Sequence, residues 1–193
     1  WLSKHHSLWA RIGHLQYTSS SNDIVLTCIP VDLMQIETQD KRIMDGADGP
    51  AAAMAMRILL EMGRILGAQK MIPVSSAHID SCLYHGLSGV EFAERLVEQG
   101  GRVRVTSSLN VGALDLKHPQ KIRLGGNERD YARRLMNAYV ALGCIPSWTC
   151  APYQAGYRPK CGENIAWAES NAVVFANSVL GARTNRYGDF MDI

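Results

Sequence analysis

TCAPYQAGYRPKCGENIAWAESNAVVFANSVLGARTNR, residues 149–186, sets Cys150 in a proline-stiffened loop ahead of a stretch that reads as a helix. At about 100° per residue, Ile165, Ala168, Ala172, Phe175, Ala176 and Val179 share one side of that helix, and Glu163, Ser170, Asn171, Asn177 and Ser178 share the other. No Lys or Arg stands on the second side, although a wet helix face ordinarily carries them. Ser and Asn fix their hydrogen bonds close to the backbone, and Trp167 and Val174 fall among them. Two readings stay open. The polar face packs on polar backbone or lines a ligand cavity, or the helix is buried on both sides with small residues for close packing.

Upstream of this stretch, strand and helix patterns alternate. Residues 144–149 read as a strand, and 127–142 as a helix closed by Gly143. Before them come a strand over 102–106 and a helix over 88–99, with Ser88 and Glu91 in capping-box spacing and Gly100–Gly101 at its end. A strand over 70–75 follows a helix that opens at Pro50, runs to about Leu66 and stops at Gly67. Residues 38–45 form a short helix, DIVLTCIPV at 23–31 has strand composition, and 1–22 read as a lead-in or linker. This rhythm predicts an α/β fold with a mostly parallel sheet. Such sheets bind ligands beyond the carboxyl ends of their strands, so SSAHID (75–80), TSSLN (106–110) and TCAPY (149–153), read as end loops, are expected to converge on one rim.

With 193 residues, 47% of them hydrophobic, the chain can bury a substantial core. A net charge of +2 without a Lys/Arg cluster argues against a nucleic-acid surface. No apolar run reaches the roughly 18 to 20 residues that span a bilayer. Five cysteines with no CxxC spacing fit a reducing, cytoplasmic setting better than a disulfide scaffold. The opening WLSKHH and the ending DFMDI suggest a piece of something longer.

Several residues are suited to chemistry. Cys150 could be a nucleophile, a ligand to iron or zinc, or a structural thiol, and a lone cysteine cannot hold a metal centre. His78 and Asp80 could be a general base and its orienting carboxylate, with Ser76 nearby; in a loop, mutual contact between them is not expected. Glu169 is a further candidate base and Arg183 a candidate carboxylate clamp. The Gly46–Gly49 loop before Pro50 would let backbone N–H groups approach an anion at a helix start, or serve as a plain turn.

Taken in order, GADGPAAAMAMRIL, SSAHIDSCLYHG, VTSSLNVGALD, WTCAPY, GENIAWAESNAVVFANSVLGARTNR and YGDFMDI resemble the aconitase X family, the dehydratase branch of the aconitase superfamily, from about Asp45 to Ile193. The resemblance implies residues 23–193 as the amino-terminal part of an aconitase-like catalytic domain. It implies an iron–sulfur cluster, 4Fe–4S or 2Fe–2S, and removal of water from a small hydroxy-carboxylate. The substrate would be cis-3-hydroxy-L-proline, in hydroxyproline metabolism, with the large subunit of a phosphomevalonate dehydratase as the alternative. By the same resemblance Cys150 is one cluster ligand, and Glu169, Ser170 and His78 are placed with catalysis. Gly49, Ser76, Asn110, Asn171, Arg183 and Thr184 are placed with substrate. The family's remaining cluster cysteines, expected beyond Ile193, and its swivelling small domain or subunit would be the partners; nucleic acid and membrane are not. TSSLN stands where the family commonly has TTxN, which keeps the hydroxyl. A truncated, non-catalytic paralogue that acts as a binding partner is the competing expectation, and a hydrolase using Cys150 and His78 a third.

Overall fold

The computed structural model describes residues 34–80, 86–110 and 114–185. The expected lead-in over 1–22, the strand over 23–31 with Cys28, and Cys82 lie outside them. The chain divides into two compact units. Among the described residues, 34–47 together with 53–71 form one, and 48–52 together with those from 72 onward form the other.

In the first unit α1 (Thr38–Met44) occupies the expected short helix, and α2 (Pro50–Ile65) contributes its later turns. Gln35 and Lys70 form an isolated parallel bridge. Gly63 inside α2 leaves room for Met34, whose Cε would lie 2.9 Å from a Cβ built there. A glycine in mid-helix costs about 0.5–1 kcal/mol relative to alanine, and here it admits a buried methionine.

The second unit holds a four-stranded parallel sheet with strand order β3-β2-β1-β4. Its strands are β1 (Ser76–Asp80), β2 (Thr106–Asn110), β3 (Ile145–Pro146) and β4 (Ala166–Trp167). Helices α3 (Leu87–Glu98) and α4 (Gly126–Ala141) connect β1 to β2 and β2 to β3. The chain then crosses to the far side of β1 to lay down β4, which makes the β1–β4 boundary a reversal of strand order. Crevices at such reversals, outside the carboxyl ends of the strands, are where open α/β sheets take ligands. Val90 and Ala93 of α3 pack on Leu135 and Ala138 of α4. Across that seam Arg134 grips Glu94 with two hydrogen bonds of 2.8 and 2.7 Å.

The α/β class and the parallel sheet follow the sequence rhythm, but the strands fall later than composition suggests. Residues 70–75 and 102–106 were expected to be strands; the ladders instead run through Ser76–Asp80 and Thr106–Asn110, the segments expected to be end loops. Pro73 has no N–H to give a ladder, whereas the polar groups of the later segments find partners inside the fold. The third strand is two residues long rather than spanning 144–149. Helix α3 starts one residue earlier than expected because Gly86 adopts φ +124°, open to glycine, and serves as the N-cap; no side chain caps the helix, so the Ser88–Glu91 box is not used.

The largest difference lies in residues 163–179. Ile165 and Trp167 are buried at period two in extended chain, with Ile165 N–H bonded to the Arg183 carbonyl and Trp167 paired with His78. Glu169 has φ +71°, which stops any helix from running through it. Helix α5 therefore covers only Ser170–Phe175 and continues as a π-turn over Ala176–Leu180. Glu163 and Ser170 do not share a helix face. On the expected apolar side Ala172 and Ala176 are buried, while Val179, turned by the wider register, is 64% exposed.

Ile165, Trp167, Ala172, Ala176 and Ala182 make the core under β4, with Tyr153 and Tyr157 against it. Trp167 is 1% exposed. Trp167→Ala is expected to destabilise the fold by about 3–5 kcal/mol, read as a lowered urea midpoint at unchanged m-value. A midpoint within the error of wild type would contradict this packing.

Candidate functional site

The site is built by alternation. In a strand, residues two apart share a face, and in parallel register the paired residues of neighbouring strands share it too. His78 pairs with Ser108 on one side and Trp167 on the other, forming one row across β2, β1 and β4. Asp80 pairs with Asn110 to start the next row toward the carboxyl ends. Glu169 follows Trp167 by the same two-residue step. His78, Asp80, Ser108, Asn110 and Glu169 are all buried, an unusual density of polar groups that must satisfy one another.

Four of them, His78, Ser108, Asn110 and Glu169, are linked in a chain of contacts. His78 Nδ1 lies 2.7 Å from Ser108 Oγ. Its Nε2 faces Glu169 Oε1 at 3.7 Å, an ion-pair distance rather than a hydrogen bond. The amide of Asn110 donates to Glu169 Oε1 at 2.5 Å and lies 3.0 Å from Cys150 Sγ. Burial acts to raise the Glu169 carboxyl, but the neighbouring His78 and Asn110, together with the Cys150 thiol, outweigh it and hold the group below its ordinary range. The positive φ of Glu169 aims this carboxylate back at the sheet; holding a non-glycine residue there costs about 1–3 kcal/mol, a strain common at functional sites.

Cys150 is exposed and reaches the buried pair from a tethered loop. The carbonyl of Leu109 accepts bonds from the backbone N–H groups of Ser147 and Trp148, each at 3.1 Å, and from Ser147 Oγ at 3.1 Å. Thr149 Oγ1 accepts from the Ala151 N–H at 3.0 Å, and Asn171 Nδ2 donates to the Cys150 carbonyl at 2.6 Å. Pro152, itself buried, starts a short turn, and Tyr153 stacks on Phe175 with ring centroids 3.8 Å apart. The thiol is thus held at both ends of its loop.

Other expected residues stand apart from this cluster. Gly49, with φ +91°, precedes α2. Ser76 opens β1 opposite Thr106. Arg183 is exposed, with its backbone bridged to 163–165. Thr184 Oγ1 accepts from Asn177 Nδ2 at 2.8 Å and donates to the Asn185 carbonyl at 3.2 Å. Ser170 is the exposed first residue of α5. His78 and Asp80, expected to stand apart in a loop, share one buried strand face. Ser108 was missed. The matching alternations, His-x-Asp at 78–80 and Ser-x-Asn at 108–110, would have revealed it had both segments been read as strands.

The donor set bears on a metal. An exposed thiol with an amide N–H on its sulfur suits one ligand position of a cluster, whose properties such hydrogen bonds tune. Among the described residues no group of three His, Cys, Asp or Glu could hold a metal ion. Cys144 is not a candidate: burial pushes its thiol up to about 11. Alkylation by iodoacetamide at neutral pH is expected to modify exposed Cys150 and Cys161 and spare Cys144 in the folded chain, as read by peptide mass spectrometry. Labelling of Cys144 at the same rate would contradict its burial.

Among the described residues no helix is long and apolar enough to cross a membrane. Comparison with known proteins then supplies the lineage. The family described as "Aconitase X first domain" matches residues 33–193. A cis-3-hydroxy-L-proline dehydratase of Pseudomonas aeruginosa is 46% identical over 159 residues, covering 82% of this chain and 27% of that protein. A phosphomevalonate dehydratase large subunit of Methanothermobacter thermautotrophicus is 39% identical, covering 82% of this chain and 40% of that one. The crystal structure of Thermococcus kodakaraensis aconitase X in its holo-form superposes with a TM-score of 0.69 at 35% identity, over 82% of this chain and 39% of that chain. The chain thus spans 27% of the hydroxyproline dehydratase and about two fifths of the other two. With the family matched over residues 33–193 and the parallel sheet in place, this chain belongs to the aconitase X family.

Proposed function

We propose that residues 23–193 form the amino-terminal part of the catalytic domain of a cytoplasmic hydro-lyase that removes water from a small hydroxy-carboxylate, cis-3-hydroxy-L-proline. The observation that carries this reading is the single Asn110 amide shared by the Cys150 sulfur and the buried Glu169 carboxylate, beside His78. The greater identity to the hydroxyproline enzyme than to the phosphomevalonate subunit, 46% against 39%, supports the substrate.

Cys150 would be one thiolate ligand of an iron–sulfur cluster, 4Fe–4S or 2Fe–2S, completed by ligands from the rest of the protein. When bound, such a cluster supplies a Lewis acid toward a leaving hydroxyl. In the dehydration the C–H bond α to the carboxylate breaks, its electron pair forms the new double bond, and the C–O bond breaks as the hydroxyl leaves with a proton. Glu169, ionised and tethered by Asn110, can accept a proton; His78 Nε2 can donate one or hold a substrate oxygen. Ser170 and Asn171, at the start of α5, and Asn110 offer short polar groups to the hydroxy-carboxylate. Gly49, Ser76, Arg183 and Thr184 complete the substrate contacts in this reading. The swivelling small domain or subunit would close the site.

The test is turnover by the complete protein with its swivelling part, assayed with cis-3-hydroxy-L-proline and with phosphomevalonate. Loss of water from the first is expected. Turnover of the second alone would reassign the substrate, and a complete protein inactive on both and free of iron would leave a non-catalytic binding role.

A further inference from the structure

His78 is 1% exposed, so both of its ring nitrogens have to be accounted for inside the protein. Nδ1 has Ser108 Oγ at 2.7 Å. Nε2 has no hydrogen-bond partner among the described residues and looks toward Glu169 Oε1 at 3.7 Å. The Trp167 ring closes the other side, edge-on at 65° with centroids 6.3 Å apart. Ser108 is itself 1% exposed and is the register partner of His78. Its hydroxyl is therefore placed by sheet pairing, among the least movable features of the fold.

We propose that Ser108 is the positioning residue of His78: its hydroxyl donates to Nδ1 and so keeps the ring proton on Nε2, directed at the Glu169 carboxylate.

A neutral imidazole carries one N–H, so two arrangements compete. With the proton on Nδ1, Ser108 would accept it, and the Nε2 lone pair would face a carboxylate oxygen at 3.7 Å with no proton between two acceptors. With the proton on Nε2, the Ser108 O–H fills the Nδ1 lone pair and the N–H points at the carboxylate. Each ring nitrogen then faces a group of opposite polarity. A rotatable hydroxyl can also accept from Nδ1 when the ring takes up a proton, so His78 can hold and release a proton without orphaning a buried nitrogen. Alanine at 108 would remove this support and leave Nδ1 buried and unpaired.

The use of that N–H toward substrate rests on the dehydratase reading, whereas the tautomer does not, and the experiment separates them. The complete protein is selectively labelled with 15N-histidine, and His78 is assigned by loss of its signal in His78→Gln. Long-range 1H–15N correlation at a pH where the ring is neutral is expected to show an acceptor-type Nδ1 and an N–H-type Nε2. Ser108→Ala is expected to give a mixed or reversed pattern, and Ser108→Thr to restore the original. Should the alanine variant fail to fold, Ser108→Cys, of similar shape but a much weaker donor, takes its place with the same expectation. An N–H-type Nδ1 in the unsubstituted protein overturns the proposal. So does the unsubstituted pattern retained in folded Ser108→Ala or Ser108→Cys. In turnover, Ser108→Ala is expected to lower kcat on the order of tenfold or more with a smaller change in KM. An unsubstituted protein with no turnover would refute the dehydratase reading alone, and the 15N result would stand or fall by itself.

Discussion

Replacing Cys150 by serine in the complete protein is expected to bring iron and acid-labile sulfide down to background and to abolish dehydration. The expectation follows from the position of the thiol. It is exposed, in a loop tied to β2 through the Leu109 carbonyl and to α5 through Asn171, and it carries an amide N–H on its sulfur. Serine is nearly isosteric but offers a hard alcohol that stays protonated at neutral pH, where a soft thiolate is needed. Since the side chain is exposed, the substitution should move thermal unfolding of the metal-free protein by no more than about 0.5 kcal/mol. Metal content and stability together decide the question. Lost iron with unchanged metal-free stability identifies Cys150 as a ligand, whereas wild-type iron in the variant would remove it from that role whatever happened to turnover.

How much of this site the sequence reveals depends on the kind of signal. Helices α2, α3 and α4 were legible because glycines stand at their ends, at 67, 100 and 143, where a positive φ is needed. The parallel sheet was legible from the alternation of elements. The strands themselves were not, because Ser, His, Asp and Asn are poor strand formers by composition. Their place in β1 and β2 comes from bonds to each other across the sheet, a tertiary effect that no local window contains. Residues 163–179 misled for a related reason. Ile165, Ala168, Ala172 and Ala176 fit a helical period, but the left-handed backbone of Glu169 divides them between the extended chain around β4 and the helical turns that follow. The thiol, the histidine and the carboxylate were each visible as chemistry-bearing residues. The meeting of thiol and carboxylate at Asn110, with the histidine facing the carboxylate, required the register of β1 against β2 and the crossing of the chain to β4.

Glu169→Gln is expected to lower kcat by about 10²- to 10⁴-fold, the range typical of a lost acid–base group, with little loss of native packing. Glutamine keeps the volume, and its carbonyl can still accept from Asn110. That same oxygen faces His78 Nε2 at 3.7 Å, so the local contacts persist while the charge and the capacity to accept a proton are lost. The same substitution has a signature in stability. The folded-state carboxyl of Glu169 lies below its ordinary value of 4.5. Its ionisation therefore contributes stability that is present above pH 4.5 and is lost as pH falls through the lower folded value. The variant carries no such group, so the drop in urea stability between neutral pH and the acid side of 4.5 should be smaller than in wild type. Measuring kcat and this difference on the same preparations separates the two roles. Full turnover in Glu169→Gln would remove the carboxylate from the chemistry. An unchanged acid dependence of stability would mean that His78 and Asn110 do not hold it ionised.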